Sequence, residues 1–159
     1  MSQAGSKLPA TGHAALVDRV ARLDKVREID RAVGIPGHHA HVTGLRGSSP
    51  VFVIEALRQA SGRPVVVCCV DEEGARDAVS DLGTVSTAKI ELFPEKDVFP
   101  QPFELKENLN VRGRRNACLD LISQNAIDIV VTSLPGFLEK TMPPATPLPN
   151  PAPLTWALR

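Results

Sequence analysis

The chain has no net charge, no long apolar run and few cysteines, and each shortage narrows what it can be. Lysine and arginine number 18 and aspartate and glutamate also 18, so formal charge is zero at neutral pH. A strongly basic face for DNA or RNA is therefore not visible in the totals and would have to come from a local cluster. No apolar stretch is long enough to cross a bilayer, so no membrane partner is expected. The first residues, MSQAGSKLPATGHAALV, lack a continuous apolar core followed by a small-residue cleavage site, so they do not read as a secretory signal. The three cysteines are Cys68, Cys69 and Cys118. Adjacent cysteines do not have the spacing of a structural zinc site, and within PVVVCCV they read as small apolar residues of a buried strand. Unpaired thiols fit a reducing cytoplasm, the expected localisation.

Proline is not scarce but is unevenly placed. Much of it falls in TMPPATPLPNPAPLTWALR, which excludes a helix or a central strand there. Residues 143–159 are expected to form an extended, polyproline-like tail, with Trp156 an anchor or an exposed side chain. Residues 1–12 read as a disordered start. At 159 residues the whole is one domain or one piece of a larger one.

Between these ends the pattern alternates. Apolar residues at Leu16, Val20, Leu23, Val26, Ile29 and Val33 step by three and four, which predicts one helix over 13–33, stopped by Gly34 to Gly37. AHVTG is a strand candidate. SPVFVIEALRQASG is a helix, with Ser48 or Ser49 as cap, Pro50 at its first position and Gly62 at its end. The β-branched run RPVVVCCV suits a parallel strand covered on both faces. A helix DEEGARDAVSDLG, a strand AKIELFP and an irregular loop EKDVFPQPF follow. Then come a helix over LKENLNVRGRRNACLDLISQN, weakened at Gly113, a strand AIDIVVTS and a short helix LPGFLEK. This order predicts an α/β fold with a mostly parallel sheet flanked by helices.

The stretch with most chemical interest is GLRGSSPV, residues 44–51. A phosphate-binding loop of the form G-x-x-x-x-G-K-[ST] joins a strand to a helix; its amides cradle phosphate, its lysine reaches the outer phosphates and its hydroxyl holds magnesium. Gly44 and Gly47 are present here. Ser49 stands at the last glycine, Pro50 at the lysine and Val51 at the hydroxyl position. Cation, metal ligand and one backbone N–H are lost together. Arg46 is near but not at the lysine position. The helix N-terminus after Ser48 remains a weak anion site. Asp71, Glu72 and Glu73 end an apolar strand as a magnesium-binding acidic element would, or simply decorate a helix start. His38, His39 and His41 have no carboxylate or cysteine neighbour in sequence and read as a polar loop. Arg112, Arg114 and Arg115 could touch phosphates, or pair with Glu104, Glu107 and Asp120 on a solvated surface. No Ser-His-Asp or Cys-His arrangement stands out, so no catalytic residue and no metal ligand is assigned.

Taken in order, three stretches resemble a known family. They are HVTGLRGSSPVFVIEALRQASGRPVVVCCVDEEGARDAVSDL, ELFPEKDVFPQPFE and RRNACLDLISQNAIDIVVTSLPGFLEKTMPP. The set is similar to the N-terminal UvrB-like module of the bacterial transcription-repair coupling factor, the Mfd family. The likeness rests on Gly44, Gly47 and Ser48, Pro64 to Val67, Leu82, Phe93-Pro94 and Asp97 to Pro100. It continues through Arg115, Leu119, Ile122, Ile129 to Val131 and Pro143-Pro144. It implies a fold like that of P-loop NTPases, of the UvrB or helicase domain 1 type, incomplete here, spanning 37–142 after an N-terminal helix at 13–36. It also implies that the loop has lost ATPase chemistry, leaving no nucleotide or metal cofactor for this chain. In the family ATP and magnesium serve a separate DNA-translocase motor.

The implied role is a non-catalytic scaffold in transcription-coupled nucleotide-excision repair. Such a scaffold recruits UvrA and packs against the motor, while RNA polymerase and DNA are bound through regions mostly absent here. UvrA contact in the family belongs to a small domain inserted after the strand IDIVVTS and its helix. The chain ends near that point and reads as a truncated piece, so no UvrA-contacting residue is carried over. Two alternatives remain at this level: a small P-loop-like ATPase using Arg46 or a distant cation, and a fragment without function.

Overall fold

The computed structural model describes residues 12–96 and 109–141, with the backbone of Thr155–Leu158. Its centre is a sheet of four parallel strands, β1 (Val65–Cys69), β2 (Ile90–Phe93), β3 (Ile129–Ser133) and β4 (Thr155–Leu158), in the order β2-β3-β1-β4. The α/β class and the parallel sheet follow the sequence pattern. The register aligns Val65 and Ile90 with Ile129, and Val67 and Leu92 with Val131.

Side chains alternate across strands, so each row feeds a different face. Val65, Val67, Cys69, Ile129 and Val131 pack with Val51 and Ile54 of α3 (Ser49–Ser61). Ala75, Ala78 and Leu82 of α4 (Glu72–Val85) complete that layer. On the other face Val66, Phe93 and Val130 meet Cys118, Leu119 and Ile122 of α5 (Leu109–Ser123). β3 is buried along its whole length, which explains its unbroken apolar run. A short α6 (Leu134–Leu138) follows it at once, with the Ser133 hydroxyl accepting from the Gly136 N–H at 3.1 Å.

Three expectations change. The segment 13–33 is two helices, α1 (Gly12–Ala21) and α2 (Asp24–Val33), broken at Leu23, which is extended at φ −66°, ψ 133°. In one straight helix Val17 and Val26 would lie roughly 13 Å apart along the axis. The break lets both join Ala56 of α3 in a single buried cluster. Second, AHVTG is not a strand. Both edges of β1 are taken, by β3 and β4, and Ala40 and Val42 are exposed, so that stretch cannot pair with β1 and has no buried face. Third, the proline-rich tail is not all exit, since Thr155–Leu158 pairs with β1 from Val65 to Cys68. It does so at a sheet edge, after the last proline, where no ladder bond is lost. The loop EKDVFPQPF lies outside the described residues beyond Lys96, as do residues 1–11 and Glu104 and Glu107.

Candidate functional site

The loop at Gly44–Val51 is a closed turn. The Ser49 hydroxyl accepts from the Arg46 N–H at 2.8 Å and donates to the Arg46 carbonyl at 2.7 Å. The Ser49 and Val51 N–H groups donate to the carbonyls of Arg46 and Ser48. Neither serine caps α3 through its side chain: Ser49 binds Arg46, and the Ser48 hydroxyl donates to Asp81 of α4 at 2.9 Å. Pro50 is the second residue of the helix, not the first, and still needs no N–H there. Gly44 and Gly47 have φ of 85° and 55°, and a Cβ at either would touch nothing within 4 Å. Glycine is therefore explained by left-handed backbone, not by close approach of a ligand.

The acidic trio sits elsewhere. Asp71 is the N-cap of α4, its carboxylate accepting from the Gly74 N–H at 2.8 Å. Glu72 pairs with Arg76 one turn on. Asp71 and Asp81 are ten residues apart on the α4 path, roughly 15 Å at helical rise. Ser48 is bonded to Asp81, so the glycine turn lies beside the C-terminal half of α4 while the acidic residues cap its start. A nucleotide-magnesium site needs these two elements on one metal. The fold does not bring them together.

A different cluster forms at the carboxyl ends of β2 and β3. Arg115 was a candidate for a solvated surface, but it is 3% exposed. Its Nη1 donates to the Pro94 carbonyl at 2.6 Å and pairs with Glu139 at 2.8 Å, and its guanidinium lies 4.1 Å from the centre of the Phe93 ring. Both Glu139 oxygens also accept from the Lys96 N–H at 3.0 Å. The Lys96 ammonium donates to the Lys140 carbonyl at 3.1 Å. The Thr132 hydroxyl donates to the Phe93 carbonyl at 2.9 Å. These bonds stitch together the segments after β2, after β3 and α5. In front of them opens a cleft of about 220 Å³ lined by Lys96, Arg112, Arg115, Asn116, Leu119, Lys140 and Thr141. Arg114 is exposed and is not in that lining.

The burial of Arg115 was legible in principle. It precedes Cys118 by three and Leu119 by four, which puts it on the apolar stripe of α5. Glu139, Lys96 and Lys140 carried no such signal, because only the register of β2 on β3 brings them to Arg115.

A second buried charge, Glu55, was also missed. It is 1% exposed in α3 and is held by Arg58 at 2.8 and 2.9 Å and by Gln59 at 2.7 Å. Burial pushes its pKa up, but hydrogen bonds from Arg58, Gln59 and Ser86 outweigh that and leave it below the ordinary value. Its spacing of three and four to its partners is a local helix pattern. The cysteines are free and buried; burial, with Glu91 nearby, pushes the Cys118 thiol up to about 11. His38, His39 and His41 are exposed, and among the described residues no three His, Cys, Asp or Glu side chains gather as a metal site requires. Among those residues no helix is long and apolar enough to cross a membrane.

Compared with family models, curated proteins and solved structures, the chain matches none.

Proposed function

We propose that this chain is a non-catalytic α/β scaffold of the kind that opens the transcription-repair coupling factor, serving protein contacts in nucleotide-excision repair. One observation carries the reading: the glycine turn and the acidic trio that would share a nucleotide's magnesium are held apart on α4, roughly 15 Å at helical rise. The closed Arg46–Ser49 turn supports it, because the Arg46, Ser49 and Val51 amides and the Ser49 hydroxyl bond within the turn. The resemblance supplies the repair context, and with it UvrA as the partner of the longer protein.

Calorimetric titration with ATP and magnesium tests the reading. We expect no magnesium-dependent binding in the micromolar range, and the same trace for Asp71→Ala. Micromolar binding that requires magnesium and disappears in Asp71→Ala would overturn it in favour of an ATPase.

A further inference from the structure

We propose that residues 38–43 are a docking strand that takes an extended, acidic segment of a partner protein by main-chain pairing. This goes beyond the scaffold reading and does not depend on the repair context. The alternation of AHVTG asks for a strand, and the fold gives that stretch no mate. From His38 to Arg46 the chain runs without turn, bend or helix, and every residue from Gly34 to Ser48 is exposed. Gly37 and Gly44, at φ 80° and 85°, bracket the segment. Among the described residues, no backbone N–H or carbonyl from His39 to Leu45 makes a hydrogen bond. Backbone groups left open in a row are the template on which another strand pairs.

Both ends of the segment are tied down. After α2 the Gly34 N–H donates to the Asp30 carbonyl at 3.0 Å and the His38 N–H to the Ile35 carbonyl at 3.1 Å. At the far end Ser49 closes on Arg46, and Ser48 is bonded to Asp81 of α4. A tethered segment loses less freedom on pairing than a free loop does. Side chains alternate along an extended chain, so His39, His41 and Thr43 share one side and Ala40 and Val42 the other. A lone two-stranded ribbon is marginal in water, so the pairing needs side-chain contacts as well. Ile35, Val42 and Leu45 are 50%, 42% and 40% exposed and offer open apolar surface beside it.

Charge selects the occupant. From Ile35 to Val51 the sequence has no carboxylate, against Arg46, His38, His39 and His41. Among the described residues Arg46 makes no ion pair. Carboxylates on an incoming strand can accept from the histidine ring N–H groups and pair with Arg46, and opposite charges across two strands stabilise the pairing. A second copy of this segment has no carboxylate to offer. Antiparallel self-pairing about Val42 would also set His38 against Arg46. A single-stranded nucleic acid would ask for a groove of cations with stacking aromatics. The segment has one arginine and no Phe, Trp or Tyr.

The test is amide NMR with hydrogen exchange on the full chain, titrated with the end-capped synthetic peptide Glu-Val-Thr-Val-Thr-Val-Glu. Comparators are the same peptide with lysine for glutamate, two forms N-methylated at alternate amides (one for each edge), and a short single-stranded oligonucleotide. We expect saturable binding of the acidic peptide below about 1 mM, and weaker binding of the lysine form. One N-methylated form should bind and the other should not. Every second amide between His39 and Leu45 should gain protection, as strand pairing requires. His41→Pro/Val42→Pro removes an N–H from each edge and should abolish binding. Its denaturant midpoint should match the parent, since neither amide is hydrogen-bonded in the fold. Arg46→Ala should weaken the acidic peptide about three-fold, as loss of an exposed ion pair does. No saturable binding of the acidic peptide, equal binding by the double proline variant, equal binding of the lysine form, or protection that does not alternate overturns the proposal. So does dimerisation or oligonucleotide binding through these residues in place of peptide binding.

Discussion

Two regions rich in candidate phosphate-binding residues behave in opposite ways. The turn Gly44–Val51 keeps the leading glycine of a phosphate-loop signature and a second glycine at Gly47, but it closes on itself through Arg46 and Ser49 and is tied to α4 by Ser48. The cluster around Arg115 has no motif, yet it joins Lys96, Glu139 and Lys140 from separate segments. A motif specifies local backbone, and the turn keeps that much: positive φ at both glycines and a helix start at Ser49. A binding site also needs partners from distant segments, and these come only from strand register. The first region kept its local geometry without the partners. The second has the partners without a local signature.

The sharpest way to break this contrast is to remove its best-ordered charge. Arg115→Ala deletes the guanidinium that joins Pro94, Phe93 and Glu139. Breaking a buried pair from one side costs about 3 kcal/mol or more, read as a lower denaturant midpoint. A loss under about 1 kcal/mol would mean that Arg115 does not organise the region.

Gly136→Ala comes next. A Cβ there would sit 3.0 Å from the Thr132 hydroxyl oxygen, 3.1 Å from that of Ser133 and 3.4 Å from Glu95. Overpacking of this kind costs about 1–3 kcal/mol, and it should act through the same β2–β3 junction. Equal stability of Gly136→Ala and the parent would show that α6 can shift away.

Asp71→Ala addresses the other region. As a cap it should cost about 1 kcal/mol, with Asp71→Asn nearly neutral. As a metal ligand it would instead change magnesium-dependent binding with either substitution.

The smallest expected effect is a pH dependence from Glu55. Its folded pKa lies below the ordinary 4.5, so its stabilising contribution is fully present above that value. The contribution is lost as pH falls through the folded pKa. Chemical denaturation between neutral and acid pH should show a steeper acid loss for the parent than for Glu55→Gln. Identical slopes would mean that the Arg58 and Gln59 bonds do not hold the charged form.

How much of this was legible in the sequence follows from where each signal lives. Helices α3, α4 and α5 and strands β1, β2 and β3 announced themselves through periodicity and punctuation, which are local. The break at Leu23 did not, because the apolar steps through Val20, Leu23 and Val26 fit one helix as well as two. Only the demand that Val17 and Val26 both reach Ala56 decides between them. AHVTG alternates like a strand, but its side chains stay exposed, and β4, distant in sequence, occupies the edge of β1. Arg115 was grouped with Arg112 and Arg114 as one basic run, although its place on the Cys118–Leu119 stripe separates it from Arg114.

The contrast between the two regions is tested most directly by backbone amide NMR on the full chain, titrated with magnesium ATP. The account predicts that the ligand does not shift the amides of Gly44 to Val51 or of Asp71. Magnesium-dependent shifts at Gly47, Ser48 and Asp71 together would contradict it.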